Sequence, residues 1–369
     1  MVVPVAGDPL SPRPSGILSY ASGLGRYLAD SGIEVEFLAA GPHSSNGVMK
    51  VVGIMESARS ELPFVLQLRQ YLKHQDGGPE TVIVANSELH AWAFHGLPKL
   101  GPVVLVAHGP MFPTFRLRRP ISAFVFRWLV EPKAVETAAQ IVAIDRDTES
   151  YFSRRYPGSR ISRIATGIDL AHFNPLDRVL SKTKWEVNEA PVLLFVGRFA
   201  PEKRVNLVLE TFRHVLASLP ETVLLLAGTG PTEKALRQQA AKLSTNRLRF
   251  LGPISRSELP SLYSAADAVI LTSAIEQSST VAIEALSCGT PVFSTPVGDC
   301  AEILSDQTLG LILTGSPQEM AAKICMRFPE NGLERAKYET NRRNAAASRS
   351  WDRVGPSIVE VLDVVLSSH

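Results

Sequence analysis

The stretch AVILTSAIEQSSTVAIEALSCGTPVFST, residues 268–295, contains a complete strand–helix–strand pattern. The apolar runs AVILTS and TPVFST are typical of buried strands, and the residues between them predict a buried helix that ends near Gly289. We expect Ser278, Ser279 or Thr280 to cap the start of this helix. Two buried strands joined by a helix indicate a parallel sheet that is covered on both faces.

The same alternation of apolar runs and helical stretches recurs along the whole chain of 369 residues. Further runs that predict strands are MVVPVA, VEFLAA, TVIVAN, VVLVAH, QIVAI, PVLLFVG, TVLLLAG and LRFLG. A chain of this length exceeds one ordinary core. We therefore expect an α/β protein with two doubly wound domains, residues 1–175 and 176–350, followed by an amphipathic helix over 351–369.

Composition sets only broad limits on function. The net charge of +2 favours neither a nucleic acid nor a membrane as partner. The three cysteines, Cys288, Cys300 and Cys325, fit neither a zinc site nor a disulfide framework, so we expect reduced thiols. The first ten residues, MVVPVAGDPL, do not resemble a signal peptide, and no apolar run approaches the length of a membrane span. These features predict a cytoplasmic protein.

Glu284 is a charged residue in the middle of an otherwise apolar helical pattern. A buried carboxylate needs a partner, which could be a neighbouring arginine or lysine, or the hydroxyl groups of a ligand. The start of the same helix offers free N–H groups and so a site for an anion. Glu276, in the loop before the helix, could hold further hydroxyl groups of the same ligand.

Two loops that follow predicted strands carry residues suited to phosphate. In PVLLFVGRFAPEKR, residues 191–204, the strand ends at Gly197, and Arg198 and Lys203 follow it. Such cations suit a diphosphate, although they could also be solvated surface residues. In TVLLLAGTGP, Gly228 and Gly230 would let the backbone approach a ligand, but glycines end strands for many reasons.

Four motifs in the second half, taken in order, resemble those of a known enzyme family. They are Gly197-Arg198 with Glu202-Lys203, the GTGP turn at 228–231, FLGPISRSELPSLYSAAD at 250–267, and Glu276 with Glu284-Ala285 and CGTPV. Together they resemble the donor half of the retaining glycosyltransferases called GT4. The resemblance implies the GT-B fold, in which two Rossmann-like domains face a central cleft.

The first half resembles the same family more thinly. PSGILSYASGLGRYLADSGIEVEFL, from residue 14, resembles its Gly-rich loop and first helix, with Ser15-Gly16 in place of Gly-Gly. VVLVAHGP resembles the family strand that ends in His-Gly, here His108. RIATGIDLAHFNP, 163–175, resembles the lead into the second domain, and the helix after SWDRV resembles one that packs back on the first domain.

The resemblance implies a nucleotide-diphospho-sugar as donor and no metal or cofactor. Arg198 and Lys203 would neutralise the leaving diphosphate, Glu284 would accept the ribose hydroxyls, Glu276 would hold sugar hydroxyls and His108 would face the transferred sugar. The catalytic residues that it implies are His108, Arg198, Lys203 and Glu276. The donor-binding residues that it implies are Gly16, Gly197, Gly228, Gly230, Ile254, Leu259, Ser278, Ser279, Thr280 and Glu284.

The family's Glu-Gly-Phe-Gly is replaced here by Glu276-Gln277-Ser278-Ser279, so the sugar preference does not carry over. The implied reaction is attack on the face from which the diphosphate leaves. Asp145-Arg146-Asp147 resembles a metal motif of another glycosyltransferase fold, but acidic residues also suit the helix start predicted there.

The segment 111–132 interleaves basic and aromatic residues. They are Arg116, Arg118, Arg119 and Arg127 with Phe115, Phe124, Phe126 and Trp128. This mixture suits an anionic membrane surface, or single-stranded nucleic acid, or a helix whose aromatics pack inward. We favour a carbohydrate or lipid-linked acceptor at a membrane surface over nucleic acid. The alternatives to a hexosyltransferase are a catalytically silent nucleotide-sugar-binding subunit and a nucleotide-sugar epimerase.

Overall fold

A computed structural model describes residues 1–369 except 10, 12–15, 46–48, 58–60, 79, 110–119, 244, 277 and 331. The chain divides into two compact units. The first unit contains Met1–Gly167 together with Trp351–His369, and the second contains Ile168–Ser350. The chain enters the second unit at Ile168, earlier than residue 176, at which the sequence analysis began the second domain.

The first unit is built on a sheet that, within the described residues, has eight strands. Its order is β3-β4-β2-β1-β5-β6-β7-β8, and neighbours are parallel except for β3 and β4. The strands are β1 (Val2–Val5), β2 (Val35–Ala40), β3 (Ser44–Ser45), β4 (Met49–Met55), β5 (Ile83–Ala85), β6 (Val103–Ala107), β7 (Ala138–Ala143) and β8 (Ile161–Arg163).

Helices cover both faces of this sheet, because every central strand alternates its apolar side chains between the two faces. In β6, for example, Val104 and Val106 join one core and Leu105 joins the other. The helices are α1 (Gly16–Asp30), α2 (Glu61–Leu72), α3 (Glu88–Ala93), α4 (Pro120–Val125), α5 (Glu131–Thr137), α6 (Arg146–Arg155) and, at the end of the chain, α15 (Trp351–Ser367).

The second unit has, in its described part, a six-stranded sheet in which all neighbours are parallel. Its order is β11-β10-β9-β12-β13-β14. The strands are β9 (Val192–Val196), β10 (Val223–Ala227), β11 (Leu248–Gly252), β12 (Ala268–Leu271), β13 (Val292–Ser294) and β14 (Gly310–Ile312).

Helices again lie on both faces of the second sheet, which has one apolar core on each side. They are α7 (Arg178–Lys184), α8 (Val205–Ser218), α9 (Glu233–Ala241), α10 (Leu259–Ala265), α11 (Thr280–Ser287), α12 (Cys300–Ile303), α13 (Pro317–Arg327) and α14 (Gly332–Ala347). Short 3₁₀ turns span Pro201–Lys203 and Arg256–Glu258.

The predicted α/β class with two doubly wound sheets is confirmed. Each apolar run that the sequence analysis assigned to a strand coincides wholly or partly with one. Four strands were missed, namely β3, β4, β8 and β14. Three of them are only two or three residues long, and Lys50 and Gly53 interrupt the apolar pattern of β4.

Candidate active site

The candidate site of the second unit lies where the strand order of its sheet reverses. β9 and β12 are neighbours in the sheet, although β10 and β11 lie between them in the sequence. The loops that follow β9 and β12 therefore meet at the carboxyl edge of the sheet and lead to helices on its opposite faces. Ligands of doubly wound sheets bind at such reversals.

Lys203 and Glu276, one from each of these loops, contact each other at this edge of the sheet. The Nζ atom of Lys203 lies 2.7 Å from Oε1 and 2.5 Å from Oε2 of Glu276. The Ser273 hydroxyl donates to the same Oε2 at 2.8 Å. The two charged side chains are 27% and 16% exposed, so a ligand can still reach the pair.

Hydrogen bonds to backbone carbonyl oxygens join the two loops. The backbone of Arg204, with a φ of 46°, turns the chain into α8, and its guanidinium donates to the carbonyl oxygens of Thr272 at 2.7 Å and Ser273 at 2.9 Å. The Thr272 hydroxyl donates to the carbonyl of Lys203 at 3.1 Å, and the Ala274 N–H donates to that of Glu202 at 2.7 Å. The position of Lys203 is therefore fixed by the loop that carries Glu276.

Arg198 lies in the loop after β9 and is exposed. Among the described residues it forms no ion pair, so its guanidinium is available to an anion. The glycines of the neighbouring loops have a structural reason of their own. A Cβ at Gly228 would lie 1.9 Å from the carbonyl oxygen of Gly197, and one at Gly230 would lie 2.3 Å from that of Phe199. Close packing of the loops after β9 and β10 thus excludes side chains there.

Glu284 projects from α11 and has two protein partners. The Tyr263 hydroxyl donates to its Oε2 at 2.7 Å, and Nη1 of Arg256 lies 3.9 Å from its Oε1. Glu284 is 7% exposed, and burial raises its pKa to about 7 although both partners lower it. Glu284 thus has an arginine nearby and a tyrosine hydroxyl on one of its oxygens. The carboxylate can still accept further hydrogen bonds from a ligand.

The start of α11 is occupied by side chains of the protein itself. Ser279 is the residue that caps the helix, since its hydroxyl accepts from the Ala282 N–H at 3.3 Å. Asp299 accepts from the Ser279 N–H at 3.1 Å and from the Ser278 hydroxyl at 3.0 Å. Arg349 pairs with the same carboxylate. Ser278 and Ser279, which stand where the family has Phe-Gly, are therefore tied to Asp299, which sequence reasoning did not single out.

The remaining expected donor residues of this unit lie at the same edge of the sheet. Thr280 is the first residue of α11. Ile254 and Leu259 are half-buried and follow β11, and both pack against the apolar core on one side of the sheet. Their roles in donor binding stay predictions.

His108 and Gly16 belong to the first unit. His108 follows β6, and its ring meets that of Tyr20 edge-on with 4.7 Å between centroids. Burial lowers the pKa of His108 to about 4, so its imidazole is neutral at pH 7. No described residue bonds its Nε2 atom. Gly16 is exposed and is the first residue of α1. The expected approach of both residues to a donor stays a prediction.

The described part of the segment 111–132 shows which aromatics pack inward. Phe126 is buried, whereas Phe124 and Trp128 are 63% and 62% exposed. Val125 and Leu129 are exposed beside them. The interpretation in which all these aromatics pack inward is therefore wrong for Phe124 and Trp128. Phe115, Arg116, Arg118 and Arg119 lie outside the described residues.

Asp145, the first residue of the Asp-x-Asp pattern, caps a helix. Its Oδ1 accepts from the Thr148 N–H at 2.7 Å at the start of α6. In the described ranges, no cluster of three histidine, cysteine or acidic side chains could hold a metal ion. The described helices are each too short or too polar to cross a membrane.

Comparison with known proteins agrees with this geometry. The profile described as glycosyl transferases group 1 matches residues 179–345, and the profile described as glycosyltransferase family 4 matches residues 14–172. The chain belongs to this glycosyltransferase family. The family membership that the motifs indicated is thus confirmed for both halves of the chain.

A similar curated relative is the D-inositol 3-phosphate glycosyltransferase of Salinispora arenicola (strain CNS-205). The two sequences are 30% identical over 263 residues, which is 66% of this chain and 58% of the relative. The chain thus spans little more than half the length of the curated relatives that it matches.

Among solved structures, sucrose-phosphate synthase from Thermosynechococcus elongatus superposes with a TM-score of 0.82 at 22% identity, covering 100% of this chain and 99% of that one. Anabaena HepE in complex with UDP-glucose superposes with a TM-score of 0.76 at 20% identity, covering 98% of this chain and 99% of that one. These likenesses establish the GT-B fold class.

Proposed function

We propose that this family member transfers a hexose-type sugar from a nucleotide-diphospho-sugar to an acceptor hydroxyl with retention of configuration. The observation that carries the proposal is the contact between Lys203 and Glu276. In such a donor, the second phosphate and the sugar hydroxyls are separated by only one glycosidic bond. A ligand of this kind therefore requires a cation for phosphate and a carboxylate for hydroxyl groups side by side.

The charges of the site suit the departure of a diphosphate. Lys203 has three N–H donors, so it can contact Glu276 and a phosphate oxygen at once. Arg198 lies in the same loop and adds a second cation. Fixed charges of this kind stabilise the developing negative charge without reorganisation, which is commonly the largest catalytic contribution. The two cations supply the charge that a metal would otherwise provide, so we propose a metal-independent reaction.

The proposed transfer occurs in one step, without a covalent bond between the sugar and the enzyme. The bond between the anomeric carbon and the phosphate oxygen breaks, and its electron pair stays on the phosphate. The acceptor oxygen bonds to the anomeric carbon from the same face, and its proton passes to the departing phosphate. Glu276 holds sugar hydroxyls during this step, while Glu284 accepts the ribose hydroxyls of the nucleotide.

Thermal unfolding with UDP, GDP and ADP, with and without EDTA, tests the donor site. A nucleotide at 100 times its dissociation constant should stabilise the protein by roughly 2.7 kcal/mol. We expect one nucleotide to do so in EDTA, and Glu284→Gln to remove the shift. Release of that nucleotide from its hexose conjugates, and the anomeric configuration of the product, then test transfer. Absence of any shift, or a shift that requires Mg²⁺, would contradict the proposal.

We further propose that the acceptor is lipid-linked and that the protein meets it at an anionic membrane surface. The support is the exposed apolar set Phe124, Val125, Trp128 and Leu129 on one short stretch of chain. Arginines at 116, 118, 119 and 127 flank or interrupt this set in the sequence. Apolar side chains bordered by arginines suit the boundary between anionic headgroups and acyl chains.

Sedimentation with vesicles tests this part of the proposal. Binding to phosphatidylglycerol vesicles, with little binding to phosphatidylcholine vesicles, is the expected result. The double variant Phe124→Ser/Trp128→Ser should lose it. Leu333→Ser, which removes a similarly exposed apolar side chain from the second unit, is the matched control and should bind normally. Equal binding by the double variant would overturn the membrane proposal.

A further inference from the structure

Glu284 is held by two side chains that come from one short stretch of the second unit. Arg256 begins the 3₁₀ turn that leads into α10, and Tyr263 lies within α10. Tyr263 contacts Oε2 at 2.7 Å and Arg256 lies 3.9 Å from Oε1. Each oxygen therefore has a protein partner, yet an ionised carboxylate accepts about four hydrogen bonds. Capacity for two further donors remains.

Both partners of Glu284, Arg256 and Tyr263, are held in place by contacts with other residues. The Arg256 guanidinium lies 4.7 Å from the ring centre of Phe173, and its backbone carbonyl accepts from Nε2 of His172 at 3.0 Å. Tyr263 is fully buried, and its own carbonyl accepts from the Thr290 hydroxyl at 2.7 Å. The arrangement exists without a ligand, so it is preorganised.

The ionisation of Glu284 is finely balanced by its surroundings. Burial raises its pKa to about 7, and the hydrogen bond from Tyr263 and the charge of Arg256 oppose that rise. Burial and the charge of Glu284 raise the pKa of the nearby Cys288 thiol, which is therefore protonated at neutral pH. The charge of Arg343 in α14 lowers the pKa of that thiol. Loss of the Tyr263 hydroxyl would therefore favour the protonated carboxyl group at neutral pH.

We propose that Tyr263 is a positioning residue for the ribose of the donor. Its hydroxyl fixes the orientation of the Glu284 carboxylate and favours the ionised form, which accepts the ribose 2′- and 3′-hydroxyls. A protonated Glu284 would lose acceptor capacity and would present an O–H to hydroxyls that must donate. This inference rests on the proposed function, because it assigns the ribose to Glu284.

Titration calorimetry from pH 6 to pH 9 with ribonucleotides and their 2′-deoxy counterparts tests the inference. UDP, GDP and ADP are compared with dUDP, dGDP and dADP, using the pair that binds the wild-type protein tightest. We expect Tyr263→Phe to weaken the binding of the ribonucleotide about tenfold at pH 7, which is the usual effect of losing one hydrogen bond to a charged group. The affinity for the 2′-deoxy nucleotide should fall much less. The variant should recover its affinity toward pH 9.

Each result separates this inference from the proposed function. Equal losses for ribonucleotide and deoxynucleotide, or a loss that persists at pH 9, would show that Tyr263 is merely structural and would overturn the inference. Wild-type affinity in Glu284→Gln would instead contradict the ribose site of the proposed function, as would a wild-type protein that binds none of the nucleotides. Tyr338→Phe removes another hydroxyl of the same unit and should change nothing. If Tyr263→Phe fails to fold, Arg256→Gln should give a similar shift of the pH profile.

Discussion

Replacing Glu276 by glutamine should tighten the binding of a free nucleoside diphosphate and at the same time slow sugar transfer. The carboxylate and the incoming diphosphate share one cation, Lys203, which lies 2.5 Å and 2.7 Å from the two oxygens of Glu276. At an effective dielectric constant of about 20, two unit charges about 5 Å apart repel by roughly 3 kcal/mol. Glutamine removes this repulsion and keeps the shape of the side chain.

Solvent reaches both members of the pair, so only a part of that repulsion should be measurable. We expect a gain of about tenfold in affinity, equivalent to about 1.4 kcal/mol. Transfer should fall by about a hundredfold, because the amide binds the sugar hydroxyls less strongly as charge develops in the transition state. Titration calorimetry with the nucleoside diphosphate measures the first effect, and initial rates with the sugar donor measure the second.

The matched control is Glu221→Gln. It makes the same change in net charge at an exposed site before β10, at the amino edge of the same sheet. The control should leave both affinity and rate unchanged. If Glu276→Gln binds the diphosphate more weakly than the wild type, the carboxylate helps to hold the phosphate and the reasoning fails. Retention of full transfer activity would refute the assignment of sugar hydroxyls to Glu276.

Three further predictions concern stability. Burial lowers the pKa of His90 to about 3, so the unfolded chain binds the extra proton first, and stability should fall as the pH drops below 6.5. In urea unfolding, the wild-type protein should lose roughly 2 kcal/mol more stability than His90→Gln between pH 7 and pH 5, and the buried His108 adds a loss of its own to both proteins. Asp299→Asn should cost about 2 kcal/mol in the same assay at pH 7 and weaken donor binding, because Arg349 loses its partner; unchanged unfolding would contradict this. Gly228→Ala should lower the thermal midpoint markedly, since its Cβ would meet the Gly197 carbonyl, whereas Gly16→Ala, with open space around it, should not.

Local pattern was sufficient for most of the fold. Runs such as PVLLFVG and TVLLLAG are apolar because both faces of their strands are buried, and this leaves a signal that needs no tertiary information. The edge strand β8 is short and only partly buried, so the sequence carried no such signal there. Strand order is also hidden from the sequence, since β9 pairs with β12 across two intervening strands.

The sequence predicted which residues belong to the candidate site, but it did not predict the contacts between them. Lys203 and Glu276 were both identified from their own loops, yet their contact joins residues 73 positions apart and depends on the strand order. Tyr263 lies 21 positions before Glu284, on a different helix, so its bond could not be read from helical spacing. The contact of Asp299 with the start of α11 could not be predicted from the sequence, because an aspartate after a glycine is typical of any turn.

The order in which the two units can fold during synthesis follows from the place of the last helix. α15 belongs to the first unit, where the Trp351 ring fills the space beside Gly23 and Gly167 and lies against Tyr20. The second unit is continuous in sequence, so all of its parts have been made before Trp351 is added. On the ribosome, the first unit must therefore wait for residues 351–369 to complete its core, while the second unit, which is made before them, can close earlier.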